Sequence, residues 1–200
     1  MAEERVRRAR IGNIPHILRI QDMWGFSKLE DASSGFLVHT LPGEEVEGLI
    51  GVSGKHLWVY DSSGRVGGYL IAYDKSRWLE KDESMLTARF LGGDGKNRRI
   101  IESEWLYGRH IARHPEAEGK VPFALENALF NEARSRGIPY AVAEIATGPG
   151  TRKHNAPSLI FNVGKMGWKT IGQRDERDEA LNLQFVWQII AKNLKACNKT

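Results

Sequence analysis

The stretch "HLWVYDSSGRVGGYLIAYD" at 56–74 constrains the fold more than any other part of this chain. Two aromatic-rich apolar runs, 56–60 and 65–73, flank Asp61-Ser62-Ser63-Gly64. These turn residues bond their own local backbone or, for glycine, tolerate positive φ. The stretch therefore reads as a β-hairpin. Gly67-Gly68 inside the second run predicts a bulge or a close backbone approach. Trp58, Tyr60, Tyr69 and Tyr73 alternate along it, which places some in a core and some facing out.

The elements around the hairpin follow from period and punctuation. "VRRARI" (6–11) is a first strand, and Asn13 is placed to cap a helix carrying Ile14, Ile17, Leu18 and Met23. A polar and aromatic connection precedes a short helix around Glu44 to Ile50. Residues 74–100 are charged and glycine-rich, a partly helical excursion within one domain of 1–200. Beyond it come a strand at 103–114, an amphipathic helix at 121–136 closed by Gly137, and a buried strand at 140–146. Residues 155–166 read as helix, 168–173 as extended, and 181–190 as the last strand, with 191–200 as a C-terminal tail. "QRDERDEA", between the last two strands, reads as a solvated hairpin turn. This order is mixed α/β and departs from a doubly wound sheet, where a helix follows nearly every strand.

Composition narrows the function. A 41% hydrophobic and 27% charged chain of 200 residues suits one soluble domain. No apolar stretch approaches a membrane span, and the N-terminus carries no hydrophobic signal region. The one cysteine, Cys197, cannot close an internal disulfide or build a cysteine-based metal cluster, which points to a reducing cytoplasm and no metal. The net charge of +4 is spread over "RVRRAR", "KNRR" and "KNLK" with acids between, so an anionic ligand is expected before a nucleic acid.

The run "YGRHIARHPEAEGKVPFALENALFNEARSRGIPYAVAEI" resembles the central motif of the GCN5-related N-acetyltransferases, a strand of the type "IAVHP", a glycine loop and a helix. The following "EIATGPGTRKHNAPSLIFNVGKMGWKTIG" resembles that family's next unit, with a spacing closest to a branch of small predicted acetyltransferases. The resemblance implies a mixed, mostly antiparallel central sheet with splayed central strands and flanking helices. It implies acetyl-coenzyme A as co-substrate and a small-molecule or peptide amine as acceptor. Homodimers are common in the family, and neither a nucleic acid nor a membrane is expected as partner.

The site residues follow from the same resemblance. Residues 118–124 (Glu118, Gly119, Lys120, Val121, Pro122, Phe123, Ala124) would cradle the pyrophosphate at a helix N-terminus, where unpaired N–H groups and the dipole favour an anion. Ile111, Ala112 and Arg113 would pair with the pantetheine arm, and Asn155 and Ser158 would lie along it. Arg109, Arg113, Arg152, Lys153 and His154 could meet cofactor phosphates or an acidic substrate. Glu104 is nearest to the family's glutamate base, or else a surface carboxylate; Tyr107 is an acid, a substrate contact or core packing. Trp24 and Phe26 fall in the connection that lines the acceptor site.

Several residues depart from the family pattern. Val121 and Phe123 replace glycines, Pro122 lacks an N–H, and Glu118 sits where Arg or Gln is usual. The tyrosine that protonates the leaving thiolate in many members falls near Asn162 or Val163. The resemblance thus implies N-acetyl transfer by direct attack of an amine on acetyl-coenzyme A. The alternative is a weak or inactive member of the fold that binds coenzyme A or a protein partner as a sensor.

Overall fold

The computed structural model describes residues 5–25, 37–62, 64–93, 95–147, 155–179 and 182–195. Eight strands form one sheet: β1 Arg5–Arg8, β2 Lys55–Ser62, β3 Arg65–Asp74, β4 Arg89–Phe90, β5 Trp105–Arg113, β6 Tyr140–Thr147, β7 Lys169–Asp178 and β8 Leu183–Asn193. Their order is β1-β2-β3-β5-β6-β8-β7-β4, antiparallel throughout except for β5 and β6. The helices are α1 Ile14–Trp24, α2 Gly43–Glu47, α3 Lys75–Leu79, α4 Lys96–Glu102, α5 Val121–Ser135 and α6 Ala156–Leu159, which runs into a π-helical turn over Ile160–Lys165.

Alternation along the strands supplies two cores. Leu57, Val59, Tyr69, Ile71, Tyr73, Trp105 and Tyr107 face α1, while Trp58, Tyr60, Leu70, Ala72 and Leu106 face α5. All four hairpin aromatics are consequently buried, so none faces out as a period-two reading had predicted. A sheet covered on both sides removes the polar face that such a reading assumes.

Both readings of Gly67-Gly68 hold. Tyr60 pairs with Gly68 and Asp61 with Val66, which leaves Gly67 as the bulged residue. At Gly68 a Cβ would stand 2.6 Å from Val121 Cγ1 and 2.8 Å from the Ala112 carbonyl oxygen, so only glycine lets the first turn of α5 come down onto the sheet. At its other end α5 closes on Gly137, at φ +69°, with Ile138 N–H donating to the Ala133 carbonyl.

Three expectations are corrected. Asn13 Oδ1 accepts from Arg10 N–H and from Arg7 Nη1, so it ties β1 to the turn before α1 and makes no cap bond to the helix. The charged run at 173–178 is strand, not turn: β7 pairs with β8 to Asp178, with residues 174, 176 and 178 half-buried and 175 and 177 exposed. The expected tail begins as strand, since β8 reaches Asn193 and Ala191 and Leu194 are buried. The excursion at 74–100 is partly helical as expected, and its β4 adds an edge strand against β7.

Candidate functional site

β5 and β6 pair only from Trp105–Tyr140 to Gly108–Ala143, and then they diverge. Divergence coincides with a bulge: Ile71 faces His110 and Ala72 faces Gly108, so Arg109 is the extra residue. The bulge shifts the alternation, and beyond it Ala112 joins the α1-side core while Ile111 packs on the α5 side. His114 N–H donates to the Gly67 carbonyl. Antiparallel alternation from that bond turns the backbone of Ile111 and Arg113 away from β3, toward the gap left by β6.

Two connected spaces fill the gap. A cavity of about 400 Å³ runs between the strands and is lined by Tyr107, Arg109, His110, Glu126, Glu144 and Arg174, among others. A groove of about 280 Å³ adjoins it, lined by Ile111, Ala112, Arg113, Gly119, Pro122, Phe123 and Ser158. Ile111, Ser158 and Asn162 border both. The sequence motifs at 111–113, 119–123 and 158 thus converge on one groove, with the N-terminus of α5 at its edge.

Within that groove the altered loop has definite contacts. Phe123 meets Phe161 edge to face at 4.8 Å, joining the walls supplied by α5 and by the π-helical turn. Lys120 Nζ is paired with Glu118 at 3.1 Å, so its charge is partly spent beside the groove. Val121 is fully buried beneath Gly68 and Ala124 packs on the α5-side core, so these two shape the loop from below. Arg113 donates to the carbonyls of His114, Pro115 and Ala117 and pins the loop. Trp24 is brought to the groove, where its indole N–H donates to the Arg113 carbonyl at 2.6 Å. Phe26, Arg152, Lys153 and His154 lie outside the described residues.

On the α1 side of the cavity the charges are paired. Glu144, whose side chain is 1% exposed, accepts from Arg174 Nε at 2.6 Å and from Tyr107 OH at 2.8 Å. Burial pushes the Tyr107 phenol far up and the Glu144 charge adds to it, so the hydroxyl keeps its proton. Burial disfavours the Arg174 charge, but bonds to Glu144 and Glu176 outweigh it and raise its pKa. Arg109 pairs with Glu45 at 3.1 Å, so it is committed to α2 and not to a phosphate. His110 is 8% exposed; burial first, then Arg109, lowers its pKa to about 3, and its Nδ1 is without a hydrogen bond.

Glu104 is not part of this site. It is exposed, it precedes β5 at the paired end of the fork, and it does not line the cavity. Tyr107 does line it, with its hydroxyl directed at Glu144 and its ring 3.9 Å from Trp78. Asn155 and Ser158 both reach the cavity wall. Sequence reasoning missed Glu126, Glu144 and Arg174. Glu144 lies in a run taken as a plain buried strand, and Arg174 in one taken as a turn.

No protein-family profile matches the chain, and no curated protein matches it. Solved structures do. Ribosomal-protein-alanine N-acetyltransferase from Brucella melitensis superposes with TM-score 0.61 at 18% identity, over 94% of this chain and 98% of that one. Arabidopsis thaliana NAA60, solved with a bisubstrate analogue, gives 0.65 at 10% identity over 96% and 98%. Salmonella typhimurium yncA, solved with its cofactor acetyl-CoA, gives 0.60 at 18% over 98% and 97%. The mixed, forked sheet and these superpositions agree: the chain has the fold of the GCN5-related N-acetyltransferases.

Proposed function

We propose that the chain is an acetyl-coenzyme A-dependent N-acetyltransferase acting on the primary amine of a small molecule or peptide. One observation carries the reading: β5 turns the backbone of Ile111 and Arg113 into an open fork whose adjoining groove ends at the N-terminus of α5. An extended amide-bearing arm would add to that edge as a further strand does, and its pyrophosphate would meet the amides of Gly119 and Phe123. Among the described residues neither amide has a hydrogen-bond acceptor, while Val121 N–H is taken by the Glu118 carbonyl.

The thioester carbonyl would lie in the fork, polarised by the Ile111 N–H. An amine entering from the α1 side attacks it directly, and its proton passes to a carboxylate of that wall or to a water held there. Glu144, next to the last paired residue of β6, is such a carboxylate. NAA60, solved with a bisubstrate analogue, and yncA, solved with acetyl-CoA, share this fold and support acetyl-coenzyme A as the donor.

The sensor reading is favoured by the Phe123–Phe161 contact and the Glu118–Lys120 pair, which narrow and discharge the phosphate end. Calorimetry with acetyl-coenzyme A, followed by thiol release over a library of amines and peptides, separates the two. Binding with turnover of some amine supports transfer. Tight binding with silence over the whole library favours the sensor, and no binding at millimolar ligand overturns both.

A further inference from the structure

We propose that Glu126 is the proton donor to the departing coenzyme A sulfur. This rests on the acetyl-transfer reading above. Direct attack forms the C–N bond, breaks the C–S bond and leaves the electron pair on sulfur as a thiolate. The Glu126 carboxyl gives its proton to that sulfur, and the carboxylate recovers through solvent the proton that the amine has lost.

The geometry assigns the role. Phe123, Glu126 and Leu129 fall three residues apart on α5 and so share a face. Phe123 lines the groove, and Leu129 reaches the closed end of the fork, 3.5 Å from where a Gly108 Cβ would be. Glu126 lies between them in the cavity wall, on the same side as Ser158 and Asn162, where groove and cavity join. Asn162 has no acidic proton, and its Nδ2 is committed to the Ser158 carbonyl. Tyr107 is turned to the opposite face and donates to Glu144.

A carboxyl is an odd choice for this wall unless it is used. Glu126 lines the cavity while only 2% exposed, and Trp168 Nε1 donates to its Oε2 at 3.0 Å. Burial raises its pKa to about 7, against the Trp168 bond and the Lys192 charge, so a protonated fraction persists near neutrality. Lys192 is held by the Met166 and Gly167 carbonyls, and Arg174 across the cavity by Glu144. His110 on β5 stays neutral. Among the described residues no ion pair takes up the Glu126 carboxyl.

Bound coenzyme A tests this without an acceptor, because its thiolate absorbs in the near ultraviolet and its ionisation can be titrated. Above pH 7 the Glu126 carboxylate beside the sulfur opposes thiolate formation. The Glu126→Gln protein should therefore ionise bound thiol about 1–2 pH units lower than wild type. Its affinity for coenzyme A should change less than threefold. Equal midpoints in two proteins that both bind coenzyme A overturn the inference and leave the acetyl-transfer reading intact. No binding to wild type overturns both. If Glu126→Gln fails to fold, Glu126→Met, which keeps length and apolar contact, supplies the same comparison.

Discussion

Gly68→Ala tests whether one missing side chain sets the position of the whole cofactor end. An added Cβ would lie 2.6 Å from Val121 Cγ1, 2.8 Å from the Ala112 carbonyl oxygen and 3.2 Å from Arg113 Cα. Val121 is fully buried on the first turn of α5, so it cannot swing away. Overpacking of this kind costs about 1–3 kcal/mol. Val121→Ala alone removes two buried methyl groups and costs about 2 kcal/mol with its cavity. In the double variant the Cγ1 contact no longer exists, so the loss should fall short of the sum by about 1 kcal/mol. Urea unfolding with unchanged slope gives each value. Gly68→Ala should also weaken coenzyme A binding about tenfold or more, because it moves both the helix N-terminus and the Arg113 backbone. Strict additivity with unaltered affinity would refute the idea that Gly68 sets the approach of α5.

Three further outcomes are expected. Glu144→Gln removes the closest carboxylate of Arg174, which keeps Glu176 at 2.7 Å, and should cost about 1–3 kcal/mol by chemical denaturation. Gly119→Pro removes a groove amide and should weaken coenzyme A binding at least about tenfold by calorimetry, in a protein that still folds. Glu126 makes stability fall with pH: its pKa is raised from the usual 4.5 to about 7, so the folded state holds the proton more tightly than the unfolded chain. Its contribution is lost between about pH 4.5 and 7, and the resulting penalty of about 3 kcal/mol is complete above pH 7. Glu126→Gln should flatten that part of the stability profile, as followed by thermal or urea unfolding across pH 4–8.

The succession of elements was legible where local chemistry decided it. The hairpin was legible although β2 continues through Asp61 and Ser62, and Gly137 ends a helix because only a residue tolerant of positive φ continues its Schellman-type closure. The loop at 119–123 was legible as a unit between strand and helix, since glycine, lysine and N-terminal proline are placed by rules of the helix start. The run at 173–178 failed for a physical reason. Its charges alternate with its geometry, but the inward set, Arg174 and Glu176, is as polar as the outward set. A period-two signal read from hydrophobicity vanishes when a strand's inner face contributes an ion-pair network instead of a core.

The same blindness hid the chemistry. Glu104 stands out in the sequence as the residue nearest to the resembled family's glutamate base, early on the expected central strand, yet a place along the strand says nothing about which end of it opens. The sheet opens where β5 bulges at Arg109, a feature that depends on pairing with Ile71 and Ala72 some forty residues earlier. Once β5 shifts phase there, Tyr107 and Ile111 face opposite sides of the sheet, although an even spacing of four would put them on one. The fork therefore separates an α1-side wall of paired carboxylates and arginines from an α5-side wall whose only acid is Glu126 among the cavity's described residues. Proton removal and proton delivery are opposite demands, and under the proposed transfer a bulge that splits titratable groups between two faces would let one cavity meet both.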